Sequence, residues 1–149
     1  MNSNYIAVIP VTDNFHFQLM QLFNGHNQVL QKEARTLGLS PGQPKILECL
    51  DSKQALSPKQ IGKMCIIDKA TMTSLLEKME KDGLVIRFAN PADKRSVLIS
   101  LTDKGMGLAK QINSSYSNID ETVLSCLSTE EKDQFLGWIR LVASKYIED

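Results

Sequence analysis

The chain has 149 residues and three cysteines, and its 17 lysines and arginines balance 17 aspartates and glutamates. This length fits one domain, or two small subdomains that share a core. Hydrophobic residues make up 42% and charged residues 23% of the chain, which excludes wholesale disorder and collagen-like or coiled-coil composition. Because the cysteines are odd in number and widely spaced, neither a disulfide framework nor a CxxC zinc site is predicted.

The amino-terminal segment has neither the pattern of a membrane span nor that of a signal peptide. Its uncharged run, residues 1–12, is too short and too polar to span a bilayer, and it has neither the basic start nor the cleavage site of a signal peptide. We therefore expect a soluble, cytoplasmic protein. Loose alternation of apolar residues across residues 1–11 predicts an arm or a short strand.

Charge is unevenly distributed along the chain, although the formal net charge is zero. Residues 57–95 hold 8 basic and 5 acidic side chains, whereas residues 120–149 hold 3 basic and 7 acidic ones. A basic centre followed by an acidic end is an asymmetry that the total conceals. The overall neutrality therefore does not exclude a nucleic-acid partner.

Capping signals divide the first half of the chain into helices. Apolar residues at three- and four-residue steps predict a long amphipathic helix over residues 13–36, which Gly38 ends. Ser-Pro-Gly-Gln at residues 40–43 predicts a second helix with Ser40 as its N-cap. Ser-Pro-Lys-Gln at residues 57–60 repeats that arrangement and predicts a short third helix.

The second half of the chain predicts a helix, a hairpin and two further helices. Asp68 is a good N-cap for a helix that runs to residue 82 and ends at Gly83. Residues 84–88 and 97–101 are rich in β-branched side chains and predict a hairpin with an eight-residue tip. Thr102 then begins a long helical segment that extends to residue 127. A capping box at residues 128–131 opens the last helix.

This order of elements predicts a mainly α protein with a small β-hairpin wing, an α+β winged helix-turn-helix. The second helix of such a pair enters the major groove of DNA with its first residues at the base edges. Each part alone is more typical of an ordinary cap or a solvated loop, but the joint order favours DNA binding. The candidate DNA-binding residues are Ser57, Lys59, Lys69, Thr71, Met72, Thr73, Ser74, Lys78, Arg87, Asp93, Lys94 and Arg95.

Residues 56–85 and 87–105 resemble the reading head, the wing and the start of the following helix of the MarR family of bacterial transcription regulators. The most specific part is the Asp93-x-Arg95 tip followed by Leu-Thr-x-x-Gly at residues 101–105. The resemblance implies that Arg95 enters the minor groove, that Asp93 anchors its guanidinium, and that residues 69–74 face the major groove. The sequence departs from many members at Ser74, where they carry an arginine.

The resemblance also implies a homodimer that binds a pseudo-palindromic operator and is released by a small aromatic or phenolic ligand. Residues 1–149 would form a single MarR-like domain, with a DNA-binding head at 40–104 and dimerisation helices at 13–37 and 105–149. The two terminal segments carry more apolar residues than a small head can cover, which agrees with a dimer. Whether the regulator represses or activates stays open, with repression the first expectation.

Candidate residues for a signal lie mainly on the first long helix. Phe15, His16 and Phe23 are candidate ligand-binding residues, although an aromatic stripe at this spacing is more often core. His16 and His26 are ten residues apart, which does not favour a metal site, and no metal or cofactor is predicted.

Three other functions compete with ligand-responsive DNA binding. A winged-helix module for protein–protein contact would be expected to present an apolar patch where this chain has lysine and hydroxyl side chains. A thiol-based redox regulator would use one of the cysteines, namely Cys49, Cys65 or Cys126. We do not expect an enzyme, because the chain has no phosphate-binding glycine loop, no G-x-S-x-G and no HExxH motif.

Overall fold

The structure, a computed structural model, describes residues 14–51 and 55–146. The chain divides into two compact units, Met1–Ile112 and Asn113–Asp149. The arm or strand that the sequence predicts over residues 1–11 lies outside the described residues.

The elements follow the predicted order of helices and hairpin. The first unit contains the helices α1 (Phe15–Thr36), α2 (Gln43–Leu50), α3 (Pro58–Cys65) and α4 (Lys69–Lys81), followed by the strands β1 (Val85–Asn90) and β2 (Asp93–Leu101). Helix α5 (Asp103–Val123) runs from the first unit into the second. A short 3-10 helix (Leu124–Cys126) and helix α6 (Thr129–Ser144) complete the second unit. None of the helices within residues 14–51 and 55–146 is both long enough and apolar enough to cross a membrane.

Helix α2 begins later than the sequence predicts. Its N-cap is Gly42, at φ +89°, and not Ser40. A helix capped by Ser40 would place Pro44 at its fourth position, where proline lacks the N–H that makes the first intrahelical bond. Beginning at Gln43 instead places Pro44 in the first turn, where no such donor is needed. The Gln43 side chain still accepts the Ser40 backbone N–H at 2.9 Å.

The first unit is built on one apolar core between the helices and the hairpin. Helices α2 and α3 contact each other and β2, and α4 packs on α3 and β1. Leu56 forms an isolated antiparallel bridge with Ile99, which ties the segment before α3 to the second half of β2. The largest side chains in this core are fully buried, among them Ile46, Leu47, Ile61, Met72, Leu76, Met79 and Ile99.

The hairpin tip is shorter than the predicted eight residues. The strands pair from Val85–Leu101 to Ala89–Val97, and after a register shift Asn90 pairs with Asp93. The Asn90 side chain accepts the Ala92 N–H at 3.0 Å and donates to the Ser96 hydroxyl at 3.0 Å. These bonds close the chain around Pro91 and Ala92, because an asparagine side chain can take the place of a backbone partner in a tight turn.

Hydrogen bonds and a close backbone contact join the start of α5 to the segment that follows α4. They explain why threonine and glycine occur in the Leu-Thr-x-x-Gly motif at residues 101–105. Thr102, the predicted cap, donates its hydroxyl to the Gly83 carbonyl at 2.6 Å and accepts the Gly105 N–H at 3.0 Å. A Cβ atom on Gly105 would overlap the backbone carbonyl oxygen of Leu84. Only glycine therefore fits at position 105 without displacing the backbone.

In the second unit α5 ends at Val123, four residues before the predicted end. The Thr122 hydroxyl donates to the Asn118 carbonyl, and the Ser125 hydroxyl donates to the Thr122 carbonyl. Such side chains compete with the backbone for helical carbonyls. The predicted capping box at the start of α6 is confirmed: Ser128 accepts the Glu131 N–H, and Glu131 accepts the Ser128 N–H at 2.8 Å.

The hydrogen bonds of the Glu131 side chain make the stability of α6 depend on pH. The hydrogen bonds from the backbone and hydroxyl of Ser128 hold the pKa of Glu131 below its ordinary value. Because the folded pKa is lower than the unfolded one, this contribution is present above the unfolded pKa and is lost as pH falls through the folded pKa. We expect Glu131→Gln, which keeps the box but cannot titrate, to lose that part of the acid sensitivity of α6.

Thermal melts between about pH 7 and about pH 3 check this expectation, since the range brackets an ordinary carboxyl pKa. The wild-type melting temperature should fall more steeply toward low pH than that of Glu131→Gln. Glu130→Gln, a neighbouring change that removes the same charge outside the box, should follow the wild type. Equal slopes for the wild type and Glu131→Gln would contradict the assignment.

Candidate nucleic-acid interface

Helices α3 and α4 form the predicted helix-turn-helix. Ser57 caps α3 with a complete capping box, in which Gln60 is the reciprocal partner. The connector turns at Ile66, which adopts the left-handed conformation at φ 54° and is 88% exposed. That conformation is rare for a β-branched residue, so the turn is held by its surroundings, including the Ile67 N–H bond to the Gly62 carbonyl at 3.0 Å.

Asp68 organises the first turn of α4. Its carboxylate accepts the Thr71 N–H at 2.9 Å and the Thr71 hydroxyl at 2.6 Å. The hydroxyl bond and then the backbone bond lower the pKa of Asp68, so the group is ionised at neutral pH. The Asp68 carboxylate thus already occupies the amino-terminal end of α4, so the Thr71 backbone N–H is not free for an external phosphate. Recognition of a partner at this end of the helix is left to the exposed side chains of α4.

The exposed face of α4 is small and polar. Lys69, Thr71, Thr73 and Ser74 are all exposed. The Thr73 hydroxyl donates to the Lys69 carbonyl at 2.9 Å, so each of the two threonines directs its proton inward and leaves its oxygen and methyl group outside. Among residues 14–51 and 55–146, the Lys69 and Ser74 side chains have no hydrogen-bond partner. Both remain available as donors to an external acceptor.

Met72, one of the predicted DNA-binding residues, does not belong to this exposed face. Its side chain is 2% exposed and packs into the core with Leu76 and Met79. Residues 72, 76 and 79 share one face of a helix, whereas residues 69 and 73 share another. The spacing of Met72 from Leu76 and Met79 is that of one apolar helix face, and the structure buries all three side chains.

Two further candidates, Lys78 and Arg87, are held by partners within the first unit. The Lys78 ammonium donates to the Ser40 hydroxyl at 3.0 Å. The Arg87 guanidinium donates to one carboxylate oxygen of Glu80 from Nε at 3.2 Å and from Nη2 at 3.0 Å. Because Glu80 balances the charge of Arg87, this arginine offers less attraction to a phosphate than a free one would. Lys59, by contrast, is exposed on the first turn of α3.

The wing tip presents its charged residues to solvent, but Asp93 acts differently from the prediction. Asp93, Lys94 and Arg95 are exposed. The Asp93 carboxylate accepts the backbone N–H of Arg95 at 3.0 Å, and no bond to the Arg95 guanidinium is present within the described residues. The carboxylate therefore fixes the backbone from which Arg95 projects. The expected contact of Asp93 with the Arg95 guanidinium is corrected to this backbone bond, because the short turn places the N–H of residue 95 next to Oδ1.

The candidate ligand-binding residues are all exposed in the single chain. Phe15 is 57% and Phe23 is 58% exposed, and His16 on the same helix is exposed as well. They are not part of the chain's own core, and their role in ligand binding stays a prediction. Across residues 14–51 and 55–146, His, Cys, Asp and Glu side chains nowhere gather in a group of three or more that is suited to a metal ion.

The chain is similar to several bacterial transcriptional regulators. The sequence model described as MarR family matches residues 39–97, which include the helix-turn-helix and most of the wing. The HTH-type transcriptional repressor YetL of Bacillus subtilis is 37% identical over 112 residues, which cover 74% of this chain and 67% of YetL. The transcriptional regulator HosA of Escherichia coli O111:H- is 32% identical over 126 residues, which cover 85% of this chain and 91% of HosA.

Solved structures share the same fold at lower identity. A MepR–DNA complex from S. aureus superimposes with a TM-score of 0.79 at 21% identity, covering 90% of this chain and 99% of MepR. The transcriptional regulator SlyA gives a TM-score of 0.82 at 20% identity, covering 93% of this chain and 96% of SlyA. With the family match, the similar regulators and the winged helix-turn-helix in agreement, the chain is a member of the MarR family of transcriptional regulators.

Proposed function

We propose that the chain is a homodimeric regulator that binds double-stranded DNA in a sequence-specific way and represses transcription from a pseudo-palindromic operator. One observation carries the proposal: the exposed first turns of α4 are lined by Lys69, Thr73 and Ser74, while the opposite face of the helix is buried. Such a helix can lie in a major groove without exposing the core. The wing that follows ends in exposed Lys94 and Arg95.

The two helix starts in the head have different electrostatic roles. Ser57 caps α3 with a neutral hydroxyl, so the positive end of that helix dipole keeps its attraction for a phosphate. Asp68 caps α4 with a carboxylate, which cancels that attraction. The phosphate backbone is therefore expected to meet α3 near Ser57 and Lys59, and the base edges are expected to meet the side chains of α4.

A second copy of the chain is the partner that the apolar surface favours. Large apolar side chains are exposed on each terminal helix, and a folded chain rarely leaves so many outside unless a partner covers them. The predicted dimerisation helices, residues 13–37 and 105–149, contain most of them. Those on α1 are Phe15, Leu19, Met20, Leu22, Phe23 and Val29, and those on α6 are Leu136, Trp138, Ile139, Leu141 and Val142.

The signal and the place of action follow from the same proposal. Release of DNA by a small aromatic or phenolic compound would use Phe15, His16 and Phe23 on α1, whose exposed aromatic faces suit stacking with such a ring. Repression agrees with the name of the similar YetL repressor. A regulator of chromosomal DNA acts in the cytoplasm, and the proposal places the chain there.

Selection of bound fragments from a random pool of double-stranded DNA tests the proposal. A two-fold dimer should enrich inverted repeats whose half-sites are about 34–36 Å apart, one helical turn. Pools that show no enrichment at low salt, or enrich only single half-sites, would contradict a dimeric sequence-specific regulator.

Substituting two lysines at opposite ends of α4 distinguishes a specific contact with DNA from a general effect of positive charge. Lys69 is the first and Lys81 the last residue of the helix, so the two lie about 18 Å apart along its axis. We expect Lys69→Ala to weaken binding of the selected DNA by about 1 kcal/mol or more, because it removes a donor at the groove-facing end. Lys81→Ala removes the same charge at the far end and should change affinity much less. Fluorescence anisotropy with both variants measures the difference, and equal losses would argue against this orientation of α4.

A further inference from the structure

Two thiols from different helices contact each other in the first unit. Cys49 lies in α2 and Cys65 is the last residue of α3, and their Sγ atoms are 3.1 Å apart. Sixteen residues separate the two cysteines in the sequence. A disulfide bond brings its sulfur atoms to about 2.05 Å, so these atoms need to approach by only about 1 Å.

The two thiols differ in their access to solvent. Cys65 is buried, and its thiol also lies 3.5 Å from the Lys45 carbonyl oxygen, to which it can donate. Cys49 is half-buried, and both cysteines line an open surface groove together with Lys45, Glu48, Met64 and Ile66. A small solute in this groove meets more of Cys49 than of Cys65, because Cys65 is only 6% exposed.

A disulfide fits this pair better than a metal ion does. Structural metal sites take about four ligands from the protein, and the described residues contain no cluster of three or more His, Cys, Asp or Glu at this place or elsewhere. A disulfide requires only the two sulfurs that are already in contact. We propose that Cys49 and Cys65 form a dithiol site that hydroperoxides convert reversibly into an intramolecular disulfide between α2 and α3.

The reaction divides into two balanced steps. The thiolate of Cys49 attacks one oxygen of the hydroperoxide, the O–O bond breaks, and Cys49 becomes a sulfenic acid while hydroxide or alkoxide leaves. The sulfur of Cys65 then attacks the sulfur of Cys49 and displaces hydroxide, which leaves as water with the proton of Cys65. Two thiols are oxidised to one disulfide. Hydrogen peroxide is thereby reduced to two molecules of water, and an organic hydroperoxide is reduced to one molecule of water and one of an alcohol.

Burial assigns the order of these steps. Desolvation, and then the hydrogen bond with Cys49, raise the pKa of Cys65 to about 12, so its thiol keeps its proton at neutral pH. Since the thiolate is the nucleophile, the more accessible Cys49 is the first to react and Cys65 resolves the sulfenic acid. The inference concerns the thiols alone and does not depend on DNA binding.

Thiol counting with hydrogen peroxide as the probe tests the proposal. The experiment uses the whole chain with Cys126→Ser, a substitution that removes the exposed third thiol, which could otherwise link two chains. After treatment, the protein is unfolded and alkylated, and tryptic peptides are analysed by mass. We expect both remaining thiols to become unreactive, with peptide 46–53 linked to peptide 64–69. Dithiothreitol should then restore both thiols.

Two controls separate the outcomes. Cys49→Ser in the same background should give no linked peptide and should leave Cys65 alkylatable, because the accessible thiol is gone. If peroxide instead yields only sulfinic or sulfonic acid at Cys49 with no link, the proposal is wrong. Resistance of both thiols to peroxide, together with tight binding of one Cu(I) ion per chain, would also overturn it in favour of a soft-metal site.

Discussion

Replacing Arg95 by alanine is expected to weaken binding to the selected DNA by roughly 1–3 kcal/mol, about five- to 150-fold. Arg95 is exposed at the wing tip, and the Asp93 carboxylate holds its backbone N–H. A narrow minor groove concentrates negative potential, which favours an inserted guanidinium. Removing one cation from each wing should also reduce the slope of log affinity against log salt by about one per wing.

Two variants at the tip show whether geometry or charge matters. Arg95→Lys keeps the charge but loses the planar guanidinium, so it should recover the salt slope and only part of the affinity. Asp93→Ala keeps Arg95 but releases its backbone, and it should weaken binding because the side chain must then be ordered on the DNA. Titrations over a range of salt concentrations, followed by anisotropy, measure both effects. Wild-type affinity and slope in Arg95→Ala would show that the wing does not contact DNA.

Gly105→Ala is expected to destabilise the fold by about 3 kcal/mol, or to prevent folding. The new methyl group would overlap the Leu84 carbonyl oxygen, which is backbone and cannot move aside as a side chain can. The same carbonyl accepts the Thr102 N–H at 3.1 Å, so its displacement also disturbs the start of α5. Urea unfolding followed by circular dichroism measures the loss.

Gly107→Ala is the matched control on the same helix. Apart from the adjoining residues and the local helix backbone, no atom of the described residues lies within 4 Å of a Cβ added at Gly107. Since alanine favours a helix over glycine, this change should stabilise the protein by about 0.5–1 kcal/mol. Opposite signs for the two variants support the close approach at Gly105. A loss at Gly105 no larger than the change at Gly107 would contradict it.

Most of the helix boundaries that the sequence predicted correctly came from local capping signals. Ser57, Asp68, Thr102 and Ser128 each accept the backbone N–H of the residue three positions further on, so sequence spacing alone identifies them. Where two local signals compete, the prediction fails. Ser40 resembles a cap, but proline at position 44 moves the start of α2 to Gln43.

The candidate site was predictable to the extent that its side chains lie on local elements. The exposed residues of α4 follow from its helical period, and the same period should have excluded Met72. Contacts between elements were not predictable. The pairing of Arg87 with Glu80 joins a strand to a helix, and the contact of Cys49 with Cys65 joins two helices. No spacing rule connects such pairs, because only the packed fold brings them together.

The chain's binding to double-stranded DNA is measured most directly by sedimentation of a selected duplex with increasing protein. We expect a saturating complex with two chains on one duplex, formed at low salt and weakened steadily as salt is added. A protein that leaves every duplex unbound in dilute buffer, or that saturates with one chain per duplex, would contradict it.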